Sequence, residues 1–243
     1  MPQSHNDVPS IALIALTYNE RENLEEFVQR IFELNIPKLT LYIVDDNSPD
    51  GTGKIADDLA RKFPILVKHR PKKEGVGPAY RDAFAWMLAL PSPPDIIFEI
   101  DADLSHDPKD IPRMIDALKA ADIAIGSRYI SGGGIENWNR TRRIVSRLGN
   151  IYAGFVLHPI PVQDLTSGFK CYTYSALKIV AARATESIGY NFQIETLYAG
   201  FKAGLRMVEI PIIFHERRAG TSKFKWRIMA ESFWRVLLLR ITK

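Results

Sequence analysis

One cysteine in 243 residues leaves Cys171 without a disulfide partner, so no cystine framework holds this chain together. A lone thiol of this kind agrees with a reducing compartment. Long apolar runs are missing too: nowhere do about 18 such residues follow one another, which excludes a helix built to span a bilayer. The opening residues "MPQSHNDVPS" contain no apolar signal-peptide core, and residues 1–9 are expected to form a flexible leader to a soluble or peripheral protein. Internal repeats and low-complexity tracts are lacking, which argues against a solenoid or a tethered linker. Charge of one sign is scarce only in places. The stretch "WNRTRRIVSR" (138–147) has four arginines and no acid, and residues 214–243 hold eight Lys/Arg against two acids, a local charge of +6. The whole chain carries only +4, so the residues before 214 sum to −2.

What is present suits a folded domain, since 46% of residues are hydrophobic and 25% charged. Five apolar runs read as buried strands: "IALIAL" (11–16), "TLYIVDD" (40–46), "ILVKH" (65–69), "DIIFEI" (95–100) and "DIAIGS" (122–127). Helical patterns separate them. Leu24, Phe27, Val28, Ile31 and Phe32 recur at helical spacing after the first strand, and Asp107-Pro108 reads as a helix start. Such alternation with short connections predicts an α/β fold with a mostly parallel central sheet flanked by helices. After Arg128 the rhythm breaks into a Gly-rich loop, an Arg-rich helical stretch and short mixed elements.

Polar residues collect where the strands end: "TYNE", "DDNSPDG", "DADLSH" and "GSRY". An open α/β sheet binds its ligand at that edge, so four polar strand ends together favour an active site over four unrelated turns. In an extended chain Asp101 and Asp103 project to one side and Ala102 to the other. Two carboxylates behind a buried strand suit a hard divalent cation, Mg2+ or Mn2+, which takes its other ligands from water and phosphate. An isolated Asp-x-Asp would read as a solvated acidic turn; the apolar lead-in and the neighbouring strand ends favour the metal. Two nucleotide motifs fail. "GTGK" (51–54) has Ser48 and Ile55 where a P-loop needs Gly and Ser/Thr, and "GVGPAY" (75–80) has Tyr80 at the third glycine of a dinucleotide fingerprint. Gly75 and Gly77 then read as a backbone turn. Arg142 and Ser146 are i, i+4 on a helical pattern, which suits either a clamp for a phosphate monoester or a solvated basic face.

In order along residues 11–225, "TYNERENL", "VDDNSPDGTG", "KKEGVGPAY", "DADLSHDP", "IGSRYISGGG", "NW" with "RRIVSR", "DLTSGF", "GYNFQIE" and "EIPIIFHERRAGTSK" resemble the polyprenol-phosphate (dolichyl-phosphate) mannosyltransferases. These are inverting glycosyltransferases of family 2 with the GT-A fold. The resemblance implies a GT-A catalytic domain over residues 10–224 that moves mannose from GDP-mannose to a polyprenyl phosphate. A UDP-glucose-dependent glucosyltransferase on the same platform is the alternative. By matched position it places Tyr18, Glu20, Val44 and Asp46 at the nucleoside, with Leu16 standing where the family usually has proline. Asp101, Ala102 and Asp103 match the motif for metal and sugar diphosphate, and Arg128 matches an arginine beside the donor. Arg217 and Lys223 match a pair that closes over the diphosphate, while Arg142 and Ser146 match the lipid-phosphate site. Ser105 stands where some relatives carry a glutamine metal ligand; serine is shorter, which opens that position to water. Catalytic roles thus fall to Asp103, Arg128, Arg142 and Ser146, with no residue assigned as a base.

The pattern over 225–243, "KWRIMAESFWRVLLLRITK", sets Trp226, Met229, Phe233, Trp234, Leu237, Leu238 and Ile241 on one stripe of an amphipathic helix. That stripe suits an anionic membrane surface, and equally a packed face against the domain or a partner. A lipid acceptor favours the membrane, so the expectation is a peripheral enzyme on the cytoplasmic face, with room for a membrane-anchoring partner subunit. Binding to nucleic acid is not expected, because the positive charge sits at one end and in one cluster with no nucleic-acid motif.

Overall fold

The computed structural model describes residues 8–183, 187, 189, 191–216 and 226–242, with side chains in the last segment from 233 to 241. Five strands occupy the five apolar runs: β1 (Ile11–Thr17), β2 (Leu39–Asp45), β3 (Ile65–His69), β4 (Ile96–Asp101) and β5 (Ile123–Ser127). Helices α1 (Leu24–Glu33), α2 (Thr52–Ala60), α3 (Val76–Leu88) and α4 (Ile111–Ala117) connect them. The remainder adds β6 (Gly134–Ile135), α5 (Arg140–Val156), β7 (Lys170–Thr173), α6 (Tyr174–Ala182), α7 (Asn191–Lys202), β8 (Met207–Pro211), β9 (Ile213–Phe214) and α8 (Trp226–Thr242).

The central sheet has seven strands in the order β3-β2-β1-β4-β7-β5-β8. All run parallel except β7, which is antiparallel to both β4 and β5. Period-2 alternation divides the strand side chains between two cores. Ile14, Val44 and Ile97 face a core completed by Phe84 of α3, Leu177 of α6 and Phe192 of α7. Leu13, Ile43 and Phe98 face one completed by Phe27 and Val28 of α1 and Met114 of α4. A small second sheet pairs β6 with β9 and so brings residues 213–216 beside the start of α5.

β7 has no apolar signature because its first residue is a lysine that the fold buries completely. The Lys170 ammonium lies 3.5 Å from Glu99 Oε2 and donates to Thr196 Oγ1 at 2.9 Å. Tyr172 donates to the other Glu99 oxygen at 2.7 Å. Burial pushes the Lys170 pKa below its ordinary value, and the Glu99 carboxylate opposes that shift.

Two helices turn apolar side chains outward. On α5, Ile144, Leu148, Ile151 and Phe155 are exposed, Phe155 by 81%. On α8, Val236 and Leu239 are buried while Trp234, Leu238 and Ile241 face outward. The rings of Tyr152 and Phe233 stack at 4.3 Å and hold the two helices together. Among the described side chains of the expected α8 stripe, most therefore face away from the domain. Trp226 and Met229 lie outside the described side chains.

The Glu99–Lys170 pair yields a stability prediction. Lys170→Met strands a carboxylate in the core and should cost about 3–5 kcal/mol in urea unfolding. Replacing Glu99 by Leu in the same protein should recover more than half of that loss.

Candidate active site

All parallel strands present their carboxyl ends at one edge, and the chain reverses its direction of growth at β1. It builds β2 and β3 on one side and returns to lay β4 on the other, which opens a crevice between the loops after β1 and β4. Across that edge Leu16 pairs with Val44 on one side and Asp101 on the other. The substrate-binding expectation for Leu16, Val44 and Asp101 thus falls on three adjacent backbone positions.

The loops after β1 and β2 are tied together by short polar side chains. Asp45 accepts from Thr17 Oγ1 at 2.9 Å and from Ser48 Oγ at 2.6 Å. Both loops turn through a left-handed asparagine, Asn19 at φ 60° and Asn47 at φ 55°, a conformation this residue tolerates well. Thr52 Oγ1 accepts from the Glu20 backbone at 3.0 Å, and the Glu20 side chain accepts from Asn23 at 2.8 Å. The Tyr18 ring lies 3.5 Å from the Lys73 ammonium. Asp46 is buried and accepts from Arg70, whose guanidinium also reaches Asp82 at 2.7 Å and Glu74 at 3.1 Å. Burial raises the Asp46 pKa, against the hydrogen bond from Arg70. Tyr18, Glu20, Val44 and Asp46 therefore share one end of the crevice.

β4 ends in the acidic loop. The Asp101 side chain is 49% exposed, while Ala102, Asp103 and Ser105 are buried. Leu104 turns through φ 62°, an uncommon conformation for a leucine, and the Ser105 amide donates to Asp103 Oδ1 at 3.1 Å. Gly168 faces Asp101 so closely that a Cβ there would sit 3.3 Å from its Oδ2. His106 is buried between Phe169 and Phe214, its Nδ1 3.8 Å from Asp101 Oδ2. Burial pushes its pKa down to about 4, so the imidazole is neutral at neutral pH.

Among the described residues no three His, Cys, Asp or Glu side chains gather into a metal cluster. Asp101, Asp103 and Ser105 instead offer an all-oxygen set from one tight turn. Ser105 Oγ is buried without a hydrogen-bond partner. A hard ion that takes its remaining ligands from a diphosphate and water fits that set, and the orphaned oxygen gives an observation in its favour.

The second group of expected residues surrounds Arg128 at the end of β5. Its side chain runs back into the protein, where Nε and Nη2 each donate to Asp164 at 2.7 Å and Nη2 also reaches Thr166 at 2.8 Å. Thr166 accepts from Asn150 of α5 at 3.0 Å. On the same helix, Ser146 accepts from the Tyr129 hydroxyl at 2.7 Å. The Arg142 guanidinium lies 3.8 Å from the Trp138 ring centroid and donates to Glu216 at 3.2 Å. Arg128 lies 6.0 Å from the same ring. Arg128, Arg142 and Ser146 are thus linked through Trp138, Tyr129 and Thr166. Arg217 and Lys223 lie outside the described residues. Sequence reasoning missed Arg70, Asp164, Thr166, Tyr129 and Asn150. The "DLTSGF" block held a signal for Asp164 and Thr166, whereas "KHRP" offered none for Arg70.

The largely parallel sheet with one antiparallel insertion is the fold of solved GT-A glycosyltransferases. The model of glycosyl transferase family 2 matches residues 12–180, and the chain belongs to that family. It is 40% identical over 227 residues to the polyprenol monophosphomannose synthase of Mycolicibacterium smegmatis, covering 92% of this chain and 84% of that protein. Identity to the undecaprenyl-phosphate mannosyltransferase of Micrococcus luteus is 38%, covering 91% and 90%. The dolichol-phosphate mannosyltransferase of Pyrococcus furiosus is 35% identical over 91% of this chain but only 61% of its own length. Among solved structures, a mannosyltransferase from Pyrobaculum calidifontis in complex with GDP-Man and Mn2+ shares the fold. Its TM-score is 0.68 at 18% identity, over 98% of this chain and 66% of that one.

Proposed function

We propose that this protein is an inverting, metal-dependent mannosyltransferase that moves mannose from GDP-mannose to a polyprenyl phosphate. The observation that carries the reading is the juxtaposition of two unlike sites. An all-oxygen acidic loop sits at the crevice, and an arginine–serine group lies on the strand end and helix beside it. The relatives named above, at 35–40% identity, support the substrate pair.

Tyr18, Glu20, Leu16, Val44 and Asp46 hold the nucleoside in this reading, with Asp46 kept in place by Arg70. Asp101, Asp103 and Ser105 hold a Mg2+ or Mn2+ ion, and Ala102 packs beneath the turn. Arg217 and Lys223 close over the diphosphate. When bound, the ion neutralises charge developing on the departing diphosphate. Arg142 and Ser146 grip the acceptor phosphate, and Arg128 stands next to it, oriented by its ion pair with Asp164. A phosphate monoester has a second pKa of about 6, so at neutral pH it is mostly a dianion. One of its oxygens forms the new bond to the anomeric carbon while the bond to the diphosphate oxygen breaks, and the electron pair leaves with GDP. No proton changes hands. The protein's task is alignment and charge neutralisation, and no side chain serves as base.

The reading also places the enzyme on a membrane surface, on its cytoplasmic side. Among the described residues no helix is long and apolar enough to cross a bilayer. The outward faces of α5 and α8 instead carry large apolar side chains, and α5 adds exposed arginines at 140, 143 and 147 with no acid in its length. Apolar side chains among cationic ones are what an anionic interface binds.

Purified protein given Mn2+ and a short-chain polyprenyl phosphate should make a mannosyl lipid from GDP-mannose and little glucosyl lipid from UDP-glucose. Preferential glucosyl transfer would overturn the donor assignment. Asp103→Asn should lower turnover roughly hundredfold or more while the protein stays folded; normal turnover would remove Asp103 from the site. Leu148→Glu and Trp234→Glu should each weaken binding to anionic liposomes about tenfold, with affinity for GDP unchanged. Undiminished liposome binding would remove these helices from the interface.

A further inference from the structure

A serine within a helix commonly returns its hydroxyl proton to the carbonyl of residue i−4, which for Ser146 would be Arg142. Here the Ser146 oxygen accepts from the Tyr129 hydroxyl at 2.7 Å, and among the described residues no group accepts from Ser146 in turn. A hydroxyl donates one proton and accepts at its lone pairs. With Tyr129 occupying a lone pair, the Ser146 proton is turned toward a further acceptor. Tyr129 is also the residue after Arg128, and its ring lies 5.3 Å from the Arg128 guanidinium carbon. The Tyr129–Ser146 bond therefore joins the β5 end to α5 and sets the spacing between Arg128 and Ser146.

We infer that Tyr129 is a positioning residue for the acceptor: its hydroxyl holds Ser146 so that the serine presents its proton to a phosphate monoester beside Arg128 and Arg142. This rests on the reading of Arg142 and Ser146 as the acceptor-phosphate site. Burial raises the pKa of Tyr129, with the Arg128 charge opposing, so the phenol keeps its proton at neutral pH.

The test measures the Michaelis constant for a ten-carbon prenyl monophosphate in detergent, with donor saturating, for Tyr129→Phe, Ser146→Ala and the double variant. Tyr129→Phe should raise that constant about five- to tenfold, as loss of one hydrogen bond does. Turnover at saturation should stay within about twofold, and the Kd for GDP should not move. In the double variant the tyrosine change should add nothing to Ser146→Ala, because its effect passes through the serine. An unchanged Michaelis constant in Tyr129→Phe, or full additivity with Ser146→Ala, overturns the inference. If Arg142→Ala and Ser146→Ala both leave the constant unchanged, the acceptor-site reading itself falls and the inference with it. If those two raise it and Tyr129→Phe does not, the inference alone falls.

Discussion

The proposed acceptor half of the site is held together by the buried pair between Arg128 and Asp164. Desolvating both ions is costly, and the cost is offset only where geometry is good and the remaining donors are satisfied. The geometry is good, and Nε and Nη2 both find acceptors. The guanidinium meets Asp164 with two bonds of 2.7 Å, its third goes to Thr166, and the Arg128 amide donates to the same carboxylate at 3.0 Å. From Thr166 the network passes to Asn150 and so to α5, whose Ser146 carbonyl accepts from Asn150 at 3.1 Å. A strand end of the parallel sheet is thereby fixed to the helix that carries the proposed acceptor residues. Arg128 is a stationary guanidinium, clasped where it stands by a carboxylate that balances its charge.

Such rigidity suits a reaction between two anions. A donor diphosphate and an acceptor phosphate repel one another, and only charge fixed in advance on both sides lets them meet without reorganisation. In the proposed mechanism the acidic loop would serve the donor side through an ion, and Arg142 the acceptor side directly. His106 lies near the acidic loop, but its ring is sleeved by aromatic side chains and held neutral by burial. It packs the loop and brings no positive charge to compete with a bound metal.

Much of this arrangement was legible before the structure. Parallel strands buried on both faces are continuous apolar runs, so β1 to β5 were plain, and with them the edge at which their polar ends meet. β7 was hidden because its defining residue is a lysine, made compatible with the core by Glu99 and Thr196, both from elements far away in sequence. Asp164 and Arg128 stand 36 residues apart, and no local pattern joins them. The four arginines of α5 drew attention to charge, although Ile144, Leu148, Ile151 and Phe155 recur there at helical spacing. Local periodicity finds elements, whereas the pairing of buried charges is decided by the fold as a whole.

In the proposed mechanism the acceptor brings its own nucleophile, and the protein supplies position and charge without a base. The direct test is the pH dependence of kcat/KM for a prenyl phosphate and for the matching prenyl phosphonate, whose second ionisation lies at higher pH. The acid limb should fall near pH 6 for the phosphate. It should move upward with the phosphonate, because the titrating group belongs to the acceptor. An acid limb that stays in place when the acceptor is changed, and shifts instead when one protein carboxylate is replaced, would show a protein base at work and contradict the account.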